Sequence, residues 1–141
     1  MLEFTIEGKP QAKQSARFFI RKSGYIGSCQ PERVTNYTNR VKLCFQREYL
    51  TWQPYSVEIP LRVNIKAYFP IPTSKPKKWK EQAREGKIRP TVKPDNDNLL
   101  KLLNDSLNGL AWEDDRQIVE ERIEKFYSDR PRVEVQIEGI W

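Results

Sequence analysis

The chain contains no histidine and only two cysteines among its 141 residues, and these shortages exclude several kinds of site. Without histidine there is no Ser-His-Asp triad, no Cys-His pair and no HExxH zinc site. Two cysteines cannot complete a four-ligand zinc site, and we expect Cys29 and Cys44, which lack CxxC spacing, to be reduced and structural. A metal site in this chain therefore depends on oxygen ligands, which favours Mg²⁺ or Mn²⁺.

Long apolar runs are also absent, and the mean hydropathy is −0.78. No segment is apolar enough to span a bilayer, so we expect no membrane association. Residues 1–8 have no basic leader region and instead alternate as a strand does, which predicts a cytoplasmic protein. A length of 141 residues predicts one domain, spanning residues 1–141, with a core large enough to need no disulfide.

The net charge of +6 conceals a strong asymmetry along the chain. Residues 1–94 contain 19 lysines and arginines against 7 acidic residues, a balance of +12, whereas residues 95–141 contain 6 against 12, a balance of −6. A basic segment neutralises phosphates and binds nucleic acid without sequence preference. We therefore expect a polyanionic partner for the first part of the chain.

The hydrophobic pattern predicts an α+β fold, with a small mixed β-sheet and helices packed against it. Period-two alternation predicts strands at residues 2–7, 16–20, 57–69, 117–127 and 132–137, with a turn near residues 23–24. Within the predicted strand at residues 57–69, Pro60 indicates an edge position or a bulge. Helical periodicity and helix-boundary residues predict helices at residues 31–50, 74–86 and from 97 or 98 to about 107, with an extended stretch at 87–93.

Two pairs of aspartates are close to the last of these helices: Asp95 with Asp97, and Asp114 with Asp115. Carboxylates that repel one another are held together when a divalent cation lies between them. In an extended segment, residues two apart point to the same side, so we expect Asp95 and Asp97 to share a side, with Asp97 or Asn98 as the N-cap. Lys101 would follow Asp97 on one helix face, and the second pair would be within reach if the next strand runs beside the start of the helix.

Carboxylates, a metal and a lysine suit phosphodiester hydrolysis, because a metal activates water and a lysine stabilises charge on the phosphate. Each aspartate motif also has a purely structural interpretation. A lone DxD near a helix start is more often a helix cap than a metal site, and a DD pair is more often part of a surface turn. An EF-hand is excluded by Leu99 and Leu100, which occupy a ligand position and the glycine position of that loop. The DxD of sugar-nucleotide transferases remains conceivable, although the chain is short for that fold.

Three motifs in residues 93–118 resemble the RusA family of Holliday junction resolvases. They are KPDNDNLLK at 93–101, DSLNG at 105–109 and WEDDRQI at 112–118. They match the family patterns (K/R)-P-D-x-D-N-L-x-K, D-(A/S)-L-N-G and W-x-D-D-x-Q-(I/V) in order and spacing. Residues 8–17 also look like the family's opening strand and basic loop. Gln14 and Ser15 depart from it where related chains often add an arginine, as does Ser106, where alanine is common.

The resemblance implies a homodimeric, Mg²⁺-dependent endonuclease that cuts opposed strands of a four-way junction symmetrically, in DNA recombination and repair, with Mn²⁺ as a possible substitute. Asp95, Asp97 and Asp115 would be metal ligands, and Lys101 would support catalysis beside them. Asp114 would have a supporting role, whereas Asp105 would be structural.

The basic residues that we expect to contact DNA are Lys13, Arg17, Lys77, Lys78 and Lys93. Trp79, among lysines, is the one aromatic side chain that we expect to be available for stacking on unpaired bases. Two other functions stay open: a non-catalytic basic DNA-binding module with a structural metal site, and a nuclease without preference for junctions.

Overall fold

The computed structural model describes the backbone of residues 1–12, 17–20, 26–29 and 32–141, and the side chains of residues 1–12 and 36–141. A short 3₁₀ helix (Asp115–Gln117) precedes the fifth strand. The strands and α-helices follow in the order β1 (Leu2–Glu7), β2 (Arg17–Ile20), β3 (Ile26–Cys29), α1 (Glu32–Glu48), β4 (Leu61–Pro70), α2 (Lys77–Arg84), α3 (Asn96–Leu107), β5 (Ile118–Ser128) and β6 (Arg132–Gly139).

Four strands form one mixed sheet in the order β1-β6-β4-β5, while β2 and β3 form a separate antiparallel pair. Strand β6 runs antiparallel to both β1 and β4, whereas β5 runs parallel to β4. The last two strands are consecutive in sequence, yet β4 lies between them. A mixed sheet with helices packed on it confirms the α+β prediction.

The core lies between one face of this sheet and the helices. Alternate residues of β1, β4 and β6 are buried. The paired positions Ile65, Val135 and Ile123 lie on the same face, and Ile123 of β5 is partly buried against the core. Helix α1 packs on β1 and α3, and both α2 and α3 pack on β5. The helices contribute buried side chains at helical spacing: Tyr37, Val41 and Phe45 from α1, Ala83 from α2, and Leu99, Leu102, Leu103 and Leu107 from α3.

The prediction for the central strand was wrong at its start, and one of the two alternatives for Pro60 was wrong. Strand β4 begins at Leu61 and not at residue 57, because Pro60 has no N–H to donate to a neighbouring strand. The preceding residues form a turn, in which the N–H of Ile59 donates to the carbonyl of Ser56 over 2.9 Å. Strand β4 lies inside the sheet, so Pro60 does not mark an edge strand. The bulge alternative agrees with the structure, because the pairing of β4 with β5 shifts register at Leu61/Arg62, directly after Pro60.

The helix boundaries also differ by a few residues. Helix α1 ends at Glu48, and α2 spans only Lys77–Arg84, with Pro76 at its N-cap. Residues 87–93, predicted to be extended, contain no strand. Helix α3 ends where predicted, since Asn108 is its C-cap and Gly109 follows with a φ of 80°. The predicted turn at residues 23–24 and the predicted helix start at residue 31 lie outside the described residues.

Candidate active site

Helix α3 begins at a side-chain cap made by Asp95. Its Oδ1 accepts a hydrogen bond from the backbone N–H of Asn98 over 2.9 Å, and its own backbone is extended. The predicted cap, Asp97 or Asn98, is wrong because the helix starts earlier, at Asn96. Asp97 is therefore a residue of the first helical turn and does not alternate with Asp95 along an extended segment.

Asp97 and Lys101 form an ion pair across one turn of α3. The Lys101 Nζ lies 3.1 Å from Asp97 Oδ2, which confirms that the two residues share a helix face. The side chains are 74% and 60% exposed for Asp97 and Lys101, respectively. Water screens such a pair, so it adds little to the stability of the fold. Both charged groups are accessible to a phosphate that approaches from solvent.

The turn before β5 is held by reciprocal hydrogen bonds. Asp114 Oδ1 accepts from the backbone N–H of Arg116 over 2.9 Å, and Gln117 Oε1 accepts from the N–H of Asp114 over 3.0 Å. Gln117 is only 4% exposed, and its Nε2 donates to the carbonyls of Ser56 and Ile59. The W-x-D-D-x-Q motif is therefore a structural unit that connects this turn to the chain entering β4.

Asp115 is half-buried at the same turn and is fixed by the core. The indole Nε1 of Trp112 donates to Asp115 Oδ1 over 2.8 Å. Burial raises the pKa of Asp115 above its usual value, and the negative charges of Asp105 and Asp114 raise it further, although the Trp112 hydrogen bond acts in the opposite direction. A cation beside Asp115 would relieve this accumulation of negative charge.

Helix α3 and strand β5 run in opposite directions, and this separates the two aspartate pairs. At the end of the helix, Asn104 Nδ2 donates to Glu121 Oε1 over 2.7 Å, near the start of β5. At the beginning of the helix, Lys125 Nζ donates to the carbonyl of Pro94 over 3.0 Å, further along β5. The start of the strand therefore lies beside the end of the helix, contrary to the arrangement that would bring Asp115 to Asp95.

The two ends of α3 are far apart on the scale of a metal site. Asp95 and Asp105, the helical carboxylate that acts on Asp115, are ten residues apart, or about 15 Å along a helix axis. Within the part of the chain whose side chains are described, no group of three or more acidic or cysteine residues is close enough together to hold a metal ion. The roles of Asp95, Asp97, Asp114 and Asp115 stay predictions.

Comparison with known proteins identifies the family. The family model described as "Endodeoxyribonuclease RusA" matches residues 7–138, nearly the whole chain. The chain belongs to the RusA family. It is also 37% identical over 142 residues to the uncharacterized protein YqaN of Bacillus subtilis strain 168, a match that covers 99% of this chain and 96% of that relative. RusA membership confirms the resemblance seen in the three motifs, and it implies endodeoxyribonuclease activity.

Two polar residues beside the candidate site were not identified from the sequence. Glu121 and Lys125 belong to the alternate residues of β5 on the face that packs against α2 and α3, together with Ile123 and Tyr127. Packing around the carboxylate raises the pKa of Glu121, and the charge of Asp115 adds to that effect. Glu121 and Lys125 occupy strand positions at which period-two alternation predicts apolar residues. A polar residue at such a position is the signal that could have identified them.

The basic residues predicted to bind DNA are only partly described. Lys77 and Lys78 are exposed on the first turn of α2, and Lys93 is exposed two residues before Asp95. Lys13 lies outside the described residues. Arg17 begins β2, and its side chain likewise lies outside the described part. No helix among the described residues is both long and apolar enough to cross a membrane.

Trp79 does not fit the prediction that it is available for stacking. Its ring is partly buried against the core and lies edge-on to Tyr127, with 5.4 Å between the ring centroids. The ammonium of Lys75 lies 5.2 Å from the centre of the same ring. Trp79 therefore anchors α2 to β5, and this packing keeps the helix lysines on the outer side.

Proposed function

We propose that this RusA-family chain is a structure-selective endodeoxyribonuclease that resolves four-way junctions by metal-dependent phosphodiester hydrolysis. It would introduce paired, symmetric nicks during DNA recombination and repair. The observation that carries the proposal is the exposed Asp97–Lys101 pair on the first turns of α3, where Asp95 caps the helix. A carboxylate for a cation and an ammonium for a phosphate are thus presented together to solvent.

The carboxylates fit a hard divalent cation such as Mg²⁺, or Mn²⁺ in its place. Mg²⁺ usually binds one or two protein carboxylates and completes its coordination with waters and substrate phosphates, so a cluster of three is not required. Asp95 and Asp97 would supply ligands at the start of α3, and Asp115 would supply one at the turn before β5. The negative charge around Asp115 also favours a cation there.

The protein's own groups would position the substrate and stabilise charge. A bound cation supplies Lewis acidity to the phosphate and eases deprotonation of the attacking water. Lys101 would exchange its contact with Asp97 for a phosphate oxygen and stabilise the charge that develops there as the P–O bond breaks. Trp112 would keep Asp115 in one orientation, and Asp114 would support it by holding the turn.

Two cuts on opposed strands require two copies of the site, which a symmetric homodimer would provide. Branched DNA would be held by Lys77, Lys78 and Lys93, together with Lys13 and Arg17 from the basic N-terminal part. Phosphate contacts of this kind give affinity that falls steeply with salt. We place the protein in the cytoplasm, where chromosomal or phage DNA is accessible.

The decisive experiment is cleavage of a synthetic four-way junction with and without Mg²⁺ or Mn²⁺. Paired nicks that need the metal support the enzyme, whereas a gel shift without nicks supports a non-catalytic DNA-binding module. Linear duplex and flap substrates in the same assay test the junction preference. Equal cleavage of all three substrates would indicate a nuclease without structure selectivity.

The variant Asp97→Asn tests the site within that assay. It removes the charge needed for a cation while the basic surface stays intact, so we expect junction binding without cleavage. Asp129→Asn is a matched control, because Asp129 is an exposed aspartate in the turn between β5 and β6. Normal Mg²⁺-dependent nicking by Asp97→Asn would contradict the assignment.

A further inference from the structure

Lys125 is a cationic residue on the face of β5 that packs against the core. Its strand neighbours on that face, Ile123 and Tyr127, belong to or pack against the hydrophobic core. The ammonium lies 5.0 Å from the centre of the Phe69 ring. Burial lowers the pKa of Lys125, and the negative charge of Asp95 opposes that shift. A lysine in this position costs free energy unless its donors are used.

The Lys125 ammonium donates two hydrogen bonds, and both go to the chain just before α3. Lys125 Nζ donates to the carbonyl of Val92 over 2.5 Å and to that of Pro94 over 3.0 Å. In the other direction, Arg89 Nε donates to the backbone carbonyl of Lys125 over 2.5 Å. Lys125 therefore attaches residues 89–94 to β5. Its side chain binds the Val92 and Pro94 carbonyls, and its backbone carbonyl binds Arg89.

This attachment determines where Asp95 lies. Pro94 directly precedes Asp95, and Asp95 in turn caps α3, with Asp97 and Lys101 on the following turns. A shift of residues 92–94 would move the cap, and with it the first turn of the helix. Displacements of about 1 Å near reacting groups can lower a rate about a hundredfold.

We propose that Lys125 is a positioning residue of the candidate active site, which holds the Val92 and Pro94 carbonyls so that Asp95 and Asp97 are presented in one fixed arrangement. This inference rests on the proposed function, because it concerns the same carboxylates. It assigns Lys125 no contact with the substrate. Its effect should therefore be seen in turnover and metal binding, and not in the affinity for DNA.

The test compares Lys125→Met with wild type and with Lys66→Met. Lys66 is an exposed lysine of the neighbouring strand β4, on the opposite face of the sheet. For Lys125→Met we expect kcat on the four-way junction to fall about tenfold or more, with KM changed less than about twofold. The Mn²⁺ concentration that half-saturates metal-induced thermal stabilisation should rise about tenfold. Lys66→Met should match wild type in all three measurements.

A second variant, Lys125→Gln, retains an amide NH2 group as a donor at a shorter reach, and it separates loss of the hydrogen bonds from loss of folding. It should be intermediate between wild type and Lys125→Met in kcat and in Mn²⁺ affinity, and it decides the question if the methionine variant does not fold. Unchanged kcat and Mn²⁺ affinity in a folded Lys125 variant would overturn the proposal. If wild type does not cleave junctions at all, the proposed function fails, while the Mn²⁺ measurement still tests Lys125.

Discussion

The indole Nε1 of Trp112 donates a hydrogen bond to Oδ1 of Asp115 over 2.8 Å, which connects a candidate metal ligand directly to the core. The Trp112 ring is completely buried, whereas Asp115 is half-buried at the surface. Because the ring cannot move without disturbing the core, the carboxylate is held in one orientation. Asp97, by contrast, is restrained by an exposed lysine.

Replacing Trp112 by phenylalanine should therefore affect both stability and cleavage. The variant loses the hydrogen bond and leaves a small cavity, so we expect the free energy of unfolding to fall by about 1–3 kcal/mol in urea denaturation. Cleavage should fall about tenfold at a temperature where the variant is folded. Trp52→Phe is the control, because its Nε1 donates to the Ala111 carbonyl and not to Asp115. An equal loss of cleavage in both variants would contradict the role given to Trp112.

Lys101→Met tests the stabilisation of charge on the phosphate. Methionine keeps a long side chain and the helix, but it removes the ammonium that pairs with Asp97. We expect kcat on the junction to fall about a hundredfold while junction affinity changes less than about threefold. The exposed Lys42 of α1 provides a control, as Lys42→Met should cleave normally. Single-turnover cleavage and gel-shift titration measure the two quantities; a variant with wild-type kcat would remove Lys101 from the mechanism.

Asp95 combines a cap with a proposed ligand, and two substitutions separate these roles. Asp95→Asn keeps an oxygen that can accept from the Asn98 N–H, so its stability should remain close to that of wild type. Asp95→Ala removes the cap and should lower the free energy of unfolding by about 1 kcal/mol. Both variants should lose cleavage because both lack the negative charge. Should Asp95→Asn cleave as wild type does, Asp95 would be only a cap.

The ion pair between Arg84 and Asp129 predicts a pH-dependent contribution to stability. Its hydrogen bond lowers the pKa of the Asp129 carboxyl below the ordinary value of 3.8. A lowered carboxyl pKa stabilises the folded state above the unfolded value, and the contribution is lost as pH falls through the folded pKa. In Arg84→Met, we therefore expect the Asp129 carboxyl to titrate at a higher pH by NMR. The stability difference from wild type should start to shrink near pH 3.8 and disappear once the pH is below the lowered pKa of folded Asp129. Identical titration in both proteins would refute the pairing.

Features that depend on residues close in sequence were predictable. The alternation of residues 2–7 predicted β1 at its observed bounds, and Asn108-Gly109 predicted the end of α3. The four-residue spacing of Asp97 and Lys101 likewise predicted their contact. The cap was misplaced by two or three residues, because Asp, Asn, Asp and Asn follow one another at 95–98 and all four can cap a helix.

The sequence by itself determined the family and the α+β class, and it limited the ligands of any metal site to oxygen, because motif spacing, periodicity and the lack of histidine are local or compositional properties. The tertiary structure alone decided that β4 lies between β5 and β6, and that β5 runs opposite to α3. Strand order and helix direction depend on pairing between distant residues, which no local pattern encodes. That pairing is what brings Asn104 at the end of α3 to Glu121, and Lys125 to the chain before Asp95.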